Sequence, residues 1–80
     1  MDRLISAKKV AGIKQTKNAI IKGNAAVVYT AEDADPSMIS EILKLCGEHG
    51  VEAVSVETRK ELAKACRIDV PCAVAAVLKN

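Results

Sequence analysis

The stretch Ala25-Ala26-Val27-Val28-Tyr29-Thr30-Ala31, followed at once by Glu32-Asp33-Ala34-Asp35-Pro36, decides the fold class of this chain. The first part carries no charge and is rich in β-branched side chains, which suits a short strand buried on both faces. Glu32-Asp33-Ala34 then reads as a polar loop. Asp35-Pro36 is a strong helix start, because the carboxylate accepts a hydrogen bond from an orphan backbone N–H and proline suits the first helical position. Met38, Ile39, Ile42, Leu43, Leu45 and Cys46 recur at helical spacing until Gly50 closes the segment. A buried strand running into an amphipathic helix is half of a β-α-β unit.

The flanking sequence repeats that alternation. Residues 51–56 form a second strand, with Val54 and Val56 on one side. Thr58-Arg59-Lys60-Glu61 has the pattern of a capping box, and a short helix follows through Leu62, Ala65 and Cys66. Ile68-Asp69-Val70-Pro71 is a loop, and residues 72–78 are a final apolar strand. Upstream, Asp2 caps a first helix that turns Leu4 and Ile5 inward and ends at Lys8. Residues 9–11 are extended and Gly12 marks a turn. A second helix covers residues 14–22, with Ala19 and Ile20 on its apolar side and Gly23 just past its end. The order helix, helix, strand, helix, strand, helix, strand predicts an α/β domain whose sheet has helices on both faces.

The chain has 80 residues, enough for one domain spanning 1–80. At this size only about 60–65% of the unfolded surface is buried, so the core must be economical. Half of the residues are apolar, but Tyr29 is the single aromatic one, so the core is built from Val, Ile, Leu and Ala. Cys46, Cys66, Cys72 and the lone His49 lack metal-ligand spacing. The cysteines read as buried thiols in a reducing cytosol. No apolar run approaches the roughly 18 residues that span a bilayer. Met1-Asp2-Arg3-Leu4 lacks the basic-then-apolar layout of a signal peptide. A soluble, cytoplasmic monomer is expected.

Charge is unevenly distributed. Residues 1–24 hold Arg3, Lys8, Lys9, Lys14, Lys17 and Lys22 against Asp2 alone, a net of +5. Residues 25–80 hold six basic and nine acidic side chains, a net of −3. A cationic third on a mildly acidic body attracts phosphate backbones, although lysines also solvate ordinary helix faces.

Catalytic chemistry finds little support. The four glycines stand alone, so a phosphate loop or dinucleotide fingerprint is absent. Asp35 is better used as a cap than as an acid. His49 lies three residues from Cys46 on a predicted helix, but the cysteine is on the apolar face and lacks an activating environment. No enzyme, cofactor, metal or small-molecule substrate is therefore expected. Asp33 and His49 are assigned no part in binding. RNA readers that stack bases on exposed rings are also excluded, because Tyr29 falls in a core strand.

Three segments carry a resemblance. Gly12-Ile13-Lys14-Gln15-Thr16-Lys17-Asn18-Ala19, then Ala31-Glu32-Asp33-Ala34-Asp35-Pro36, then Leu62-Ala63-Lys64-Ala65-Cys66-Arg67-Ile68 with Pro71, resemble the ribosomal kink-turn-binding family, often called L-seven-Ae. The bacterial YbxF-like branch is the most similar. The resemblance covers nearly the whole chain and implies a three-layer α/β/α sandwich with a small mixed sheet of three to four strands. It implies binding to kink-turn RNA, in which a bulge bends a duplex beside tandem sheared G·A pairs, in a ribosomal or ribosome-associated setting.

Carried over position by position, Gly12 would allow close backbone approach, and Lys14 and Gln15 would meet guanine edges. Asn18 takes the place of a third polar contact, with Lys17 beside it. Asp35 and Ile39 would lie near the flipped nucleotide, and Arg59 would contact phosphate. Ile68, Val70 and Ala73 would line the bulge pocket. Archaeal and eukaryotic members usually show Asn-Glu at Lys14-Gln15, whereas the bacterial branch shows Lys-Gln. A lysine is typical at Asn18 and a glycine at Arg67. The alternative is a protein-interaction module on the same fold.

Overall fold

A computed structural model describes residues 8–66 and 72–79. The helix expected from Asp2 and the loop bearing Ile68, Val70 and Pro71 lie outside the described residues. Within them the order is β1 (Lys9–Ala11), α1 (Ile13–Ile21), β2 (Ala25–Ala31), α2 (Pro36–His49), β3 (Glu52–Val56), α3 (Arg59–Cys66) and β4 (Val74–Leu78). The boundaries differ slightly from the sequence reading, for local reasons. Helix α1 starts one residue early, at Ile13. The N–H of Val51 closes α2 on the Cys46 carbonyl at 2.8 Å, so β3 starts one residue later than expected. The final strand starts at Val74 rather than Cys72, whose N–H is directed to the Arg59 carbonyl at 3.3 Å.

One four-stranded sheet runs in the order β1-β4-β2-β3. Strand β2 pairs parallel with β3, while β4 lies antiparallel to both β1 and β2. Thus β1, β2 and β3 run one way and β4 runs the other. Each of the first three leads directly into a helix, so α1, α2 and α3 all begin at the same end of the sheet.

Helices α1 and α2 cover one face. Ala19, Ile20, Ile42 and Cys46 pack there against Ala25, Val28, Val74 and Ala76. Helix α3 covers the other face, where Leu62, Ala65 and Cys66 meet Val27, Tyr29, Ala75 and Val77. The result is a three-layer α/β/α sandwich with a mixed sheet. Strict alternation would put Ala25 on the same side as Val27. Instead the pairing with β4 slips between Ala25 and Val27. The slip is a bulge that leaves Ala26 exposed and returns Ala25 to the face of Val28. Ile20, Ile42 and Leu62 are fully buried. Each such side chain contributes roughly 1.5–3 kcal/mol of burial. Tyr29 lies in the core, so its ring is no stacking platform.

The caps follow the sequence. The Asp35 carboxylate accepts the Ser37 N–H at 2.9 Å. The Thr58 hydroxyl oxygen accepts the Glu61 N–H at 3.0 Å, which is one half of the capping box. At the far end of α1, the N–H groups of Gly23 and Asn24 return to the carbonyls of Ile20 and Ala19. Among the described residues no helix is long and apolar enough to cross a membrane.

Candidate nucleic-acid interface

The end of the sheet where the three helices begin is laced together by main-chain hydrogen bonds. The Gly12 N–H donates to the Val74 carbonyl at 3.0 Å, joining the residue before α1 to the start of β4. The Ala31 N–H donates to the Ala73 carbonyl at 2.9 Å, and the Glu32 N–H to the Val56 carbonyl at 2.8 Å. These bonds bring Gly12, Ala73, the loop before Asp35 and the start of α3 to one edge. In open α/β sheets, ligands favour the carboxyl ends of the strands.

The three helix starts at this edge differ. Asp35 caps α2 and Thr58 caps α3, but among the described residues no side chain caps α1. The leading N–H groups of an α-helix have no intrahelical partner, and the helix dipole adds positive potential there. Among the described residues, the start of α1 therefore leaves the most donors open. Gly12 precedes it with φ +100° and ψ 154°, a backbone region that essentially only glycine occupies. A Cβ at Gly12 would meet nothing within 4 Å, so glycine is required there by conformation and the main chain is open to approach.

Lys14, Gln15 and Asn18 are exposed on α1, while Thr16, Ala19 and Ile20 are buried beneath them. Lys14 and Asn18, four residues apart, share one side of the helix. Lys17, three residues after Lys14, forms an ion pair with Glu41 of α2.

The remaining residues singled out in the sequence occupy distinct settings. Asp35 is exposed but already holds Ser37. Ile39, in the first turn of α2, is half-buried and packs against the apolar clusters of both faces. Ala73 is half-buried beside the α3 cluster. Arg59 is exposed at the start of α3. Ile68 and Val70 lie outside the described residues.

Asp33 has a partner in the fold that its neighbours in sequence do not announce. Its carboxylate accepts the Arg59 N–H at 2.8 Å and lies 3.5 Å from the Arg59 guanidinium. The residues are 26 positions apart. Only the spacing of a second aspartate just ahead of the Asp35 cap hinted at a further task. His49 is exposed in the last turn of α2, whereas Cys46 is buried.

Burial raises the thiol pKa of both Cys46 and Cys66. Cys66 is also in side-chain contact with Cys72, and its thiol is pushed up to about 11. Thiols held in their neutral form make poor nucleophiles. Among the described residues no cluster of three or more His, Cys, Asp or Glu side chains could hold a metal ion.

Comparison with known proteins gives a consistent picture. The profile of the ribosomal protein L7Ae/L30e/S12e/Gadd45 family matches residues 3–80. An RNA-binding protein of Geobacillus sp. (strain WCH70) is 41% identical over 76 residues, covering 95% of this chain and 93% of that protein. The large ribosomal subunit protein eL8 of Halobacterium salinarum is 42% identical over 74 residues, covering 91% of this chain and 60% of that protein. Among solved structures, the Giardia lamblia 15.5kD RNA binding protein superposes with a TM-score of 0.86 at 27% identity, covering 98% of this chain and 70% of that one.

Proposed function

Because this chain belongs to the ribosomal protein L7Ae/L30e/S12e/Gadd45 family, we propose that it binds structured RNA containing a kink-turn, as a ribosomal or ribosome-associated protein of the cytoplasm. The observation that carries this reading is the uncapped start of α1, open behind Gly12 and flanked by exposed Lys14 and Gln15. Free N–H groups at a helix start suit phosphate, and the adjacent side chains can read base edges.

The roles follow from position. Gly12 lets the RNA backbone approach the main chain. Lys14 and Gln15 donate to guanine edges at the sheared pairs, and Asn18 adds a polar contact one turn along. Lys17 adds positive potential beside Asn18, offset in part by its Glu41 partner. Arg59 takes a phosphate. Asp35, Ile39 and Ala73, with Ile68 and Val70, form the surroundings of the bulged nucleotide. The protein acts as a monomer and catalyses no reaction on the RNA.

A titration against kink-turn RNA over a range of salt concentrations tests this reading. Affinity that falls steeply and linearly on a log–log plot is expected, with a slope of about −0.7 to −0.9 per phosphate neutralised. Binding that ignores salt would favour a protein-interaction module instead.

A further inference from the structure

We propose that Asp33 is a positioning residue for RNA binding, holding the Arg59 guanidinium by its Nε edge so that both terminal nitrogens face a phosphate; the proposal rests on the RNA reading above. One carboxylate oxygen makes both contacts. Oδ1 of Asp33 accepts the Arg59 N–H at 2.8 Å and lies 3.5 Å from Nε. The Arg59 carbonyl in turn accepts the Cys72 N–H at 3.3 Å. The main chain of Arg59 is thus clamped on both sides, between the loop after β2 and the lead into β4. The guanidinium Nε lies at ion-pair distance from the same oxygen, and its terminal nitrogens form no hydrogen bond or ion pair with another described residue.

Capping accounts for the main-chain bond, because Thr58 takes the Glu61 N–H and leaves that of Arg59 to Asp33, but it does not account for the approach of the same oxygen to Nε. The two side chains of the Asp33–Arg59 pair are about half exposed, at 44% and 50%. Exposed pairs of this kind add little to folding stability. What the pair does is fix direction. A guanidinium with one edge engaged presents the other as a planar two-donor fork, the shape that grips a phosphate; a lysine ammonium has no second edge to offer.

The sign of the effect makes the inference testable. Asp33→Asn keeps an oxygen for the Arg59 N–H, preserves shape and removes one negative charge near the RNA face. Long-range electrostatics alone predicts tighter binding. Positioning predicts weaker binding, by roughly 3–10-fold, because the guanidinium loses its anchor.

The experiment is a double-mutant cycle on the full chain. Wild type, Asp33→Asn, Arg59→Ala and the double variant are titrated against kink-turn RNA and against the same RNA with its sheared G·A pairs replaced by Watson–Crick pairs. Asp33→Asn should weaken kink-turn binding and flatten the salt slope as Arg59→Ala does. In the Arg59→Ala background it should cause no further weakening. Equal or tighter binding by Asp33→Asn would overturn the proposal. So would the same weakening in both backgrounds, which would assign Asp33 to folding alone. If wild type binds both RNAs equally, the kink-turn reading fails and the positioning role falls with it.

Discussion

The main-chain N–H of Gly12 donates to the carbonyl of Val74 at 3.0 Å, fastening the entry of α1 to the first residue of β4. Gly12 makes this bond with φ +100° and ψ 154°. An alanine there would be strained even though its methyl group has room. Gly12→Ala should therefore lower stability by about 1–3 kcal/mol in urea unfolding and weaken RNA binding. Stability within about 0.5 kcal/mol of wild type would show that the strain is relieved by local movement.

Lys14→Ala and Gln15→Ala should each weaken kink-turn binding by about 1–3 kcal/mol, with most of the loss on the RNA that retains its G·A pairs. Both residues are exposed, so thermal unfolding should barely change. Wild-type affinity in either variant would remove that residue from the interface.

Asn18 shares a side of α1 with Lys14 and is exposed. Asn18→Lys should tighten binding and steepen the salt dependence by about one phosphate contact. An unchanged slope would mean that this turn of the helix lies beyond the RNA.

Thr16 is fully buried, and its hydroxyl has no hydrogen-bond partner among the described residues. An unsatisfied buried hydroxyl costs about 1–3 kcal/mol. Thr16→Val keeps the shape and removes the polar atom, so it should raise the unfolding free energy by about 1 kcal/mol. A clear loss of stability would instead mean that the hydroxyl bonds back to a main-chain carbonyl one turn earlier.

Cys66 gives a pH signature. Its pKa is raised from 9.0 to about 11, chiefly by burial and further by Cys72, so the folded state holds this proton more tightly than the unfolded chain does. Its contribution to stability is fully present below about pH 9 and is lost as the pH rises through about 11. Urea unfolding across that window should show the decline, and Cys66→Ala should flatten it. An equally steep decline in the variant would place its origin elsewhere.

Much of the fold was legible because its signals are local. Asp35-Pro36 and Thr58 to Glu61 announce helix starts through chemistry confined to four residues, and the structure places caps at both. The uncharged run at Ala25–Ala31 is indeed buried along most of its length. The insertion of β4 between β1 and β2 is a matter of pairing, and neither periodicity nor propensity encodes which strand is a neighbour. The bulge at Ala26 was hidden for the same reason, since it exists only relative to β4. At the candidate interface, Lys14 and Gln15 are named by the family resemblance, and both are exposed on α1. The ion pair that draws Lys17 to Glu41, and the grip of Asp33 on Arg59, join residues far apart in sequence and became visible only with the fold.

The central claim is that the open start of α1 recognises a kink-turn rather than phosphate in general. It is tested most directly by titrating the protein against a short labelled kink-turn RNA and against the same RNA with its sheared G·A pairs replaced by Watson–Crick pairs. Tight binding to the first and weak binding to the second is the predicted result. Equal binding to both would contradict the account and reduce the interface to nonspecific attraction by the lysines.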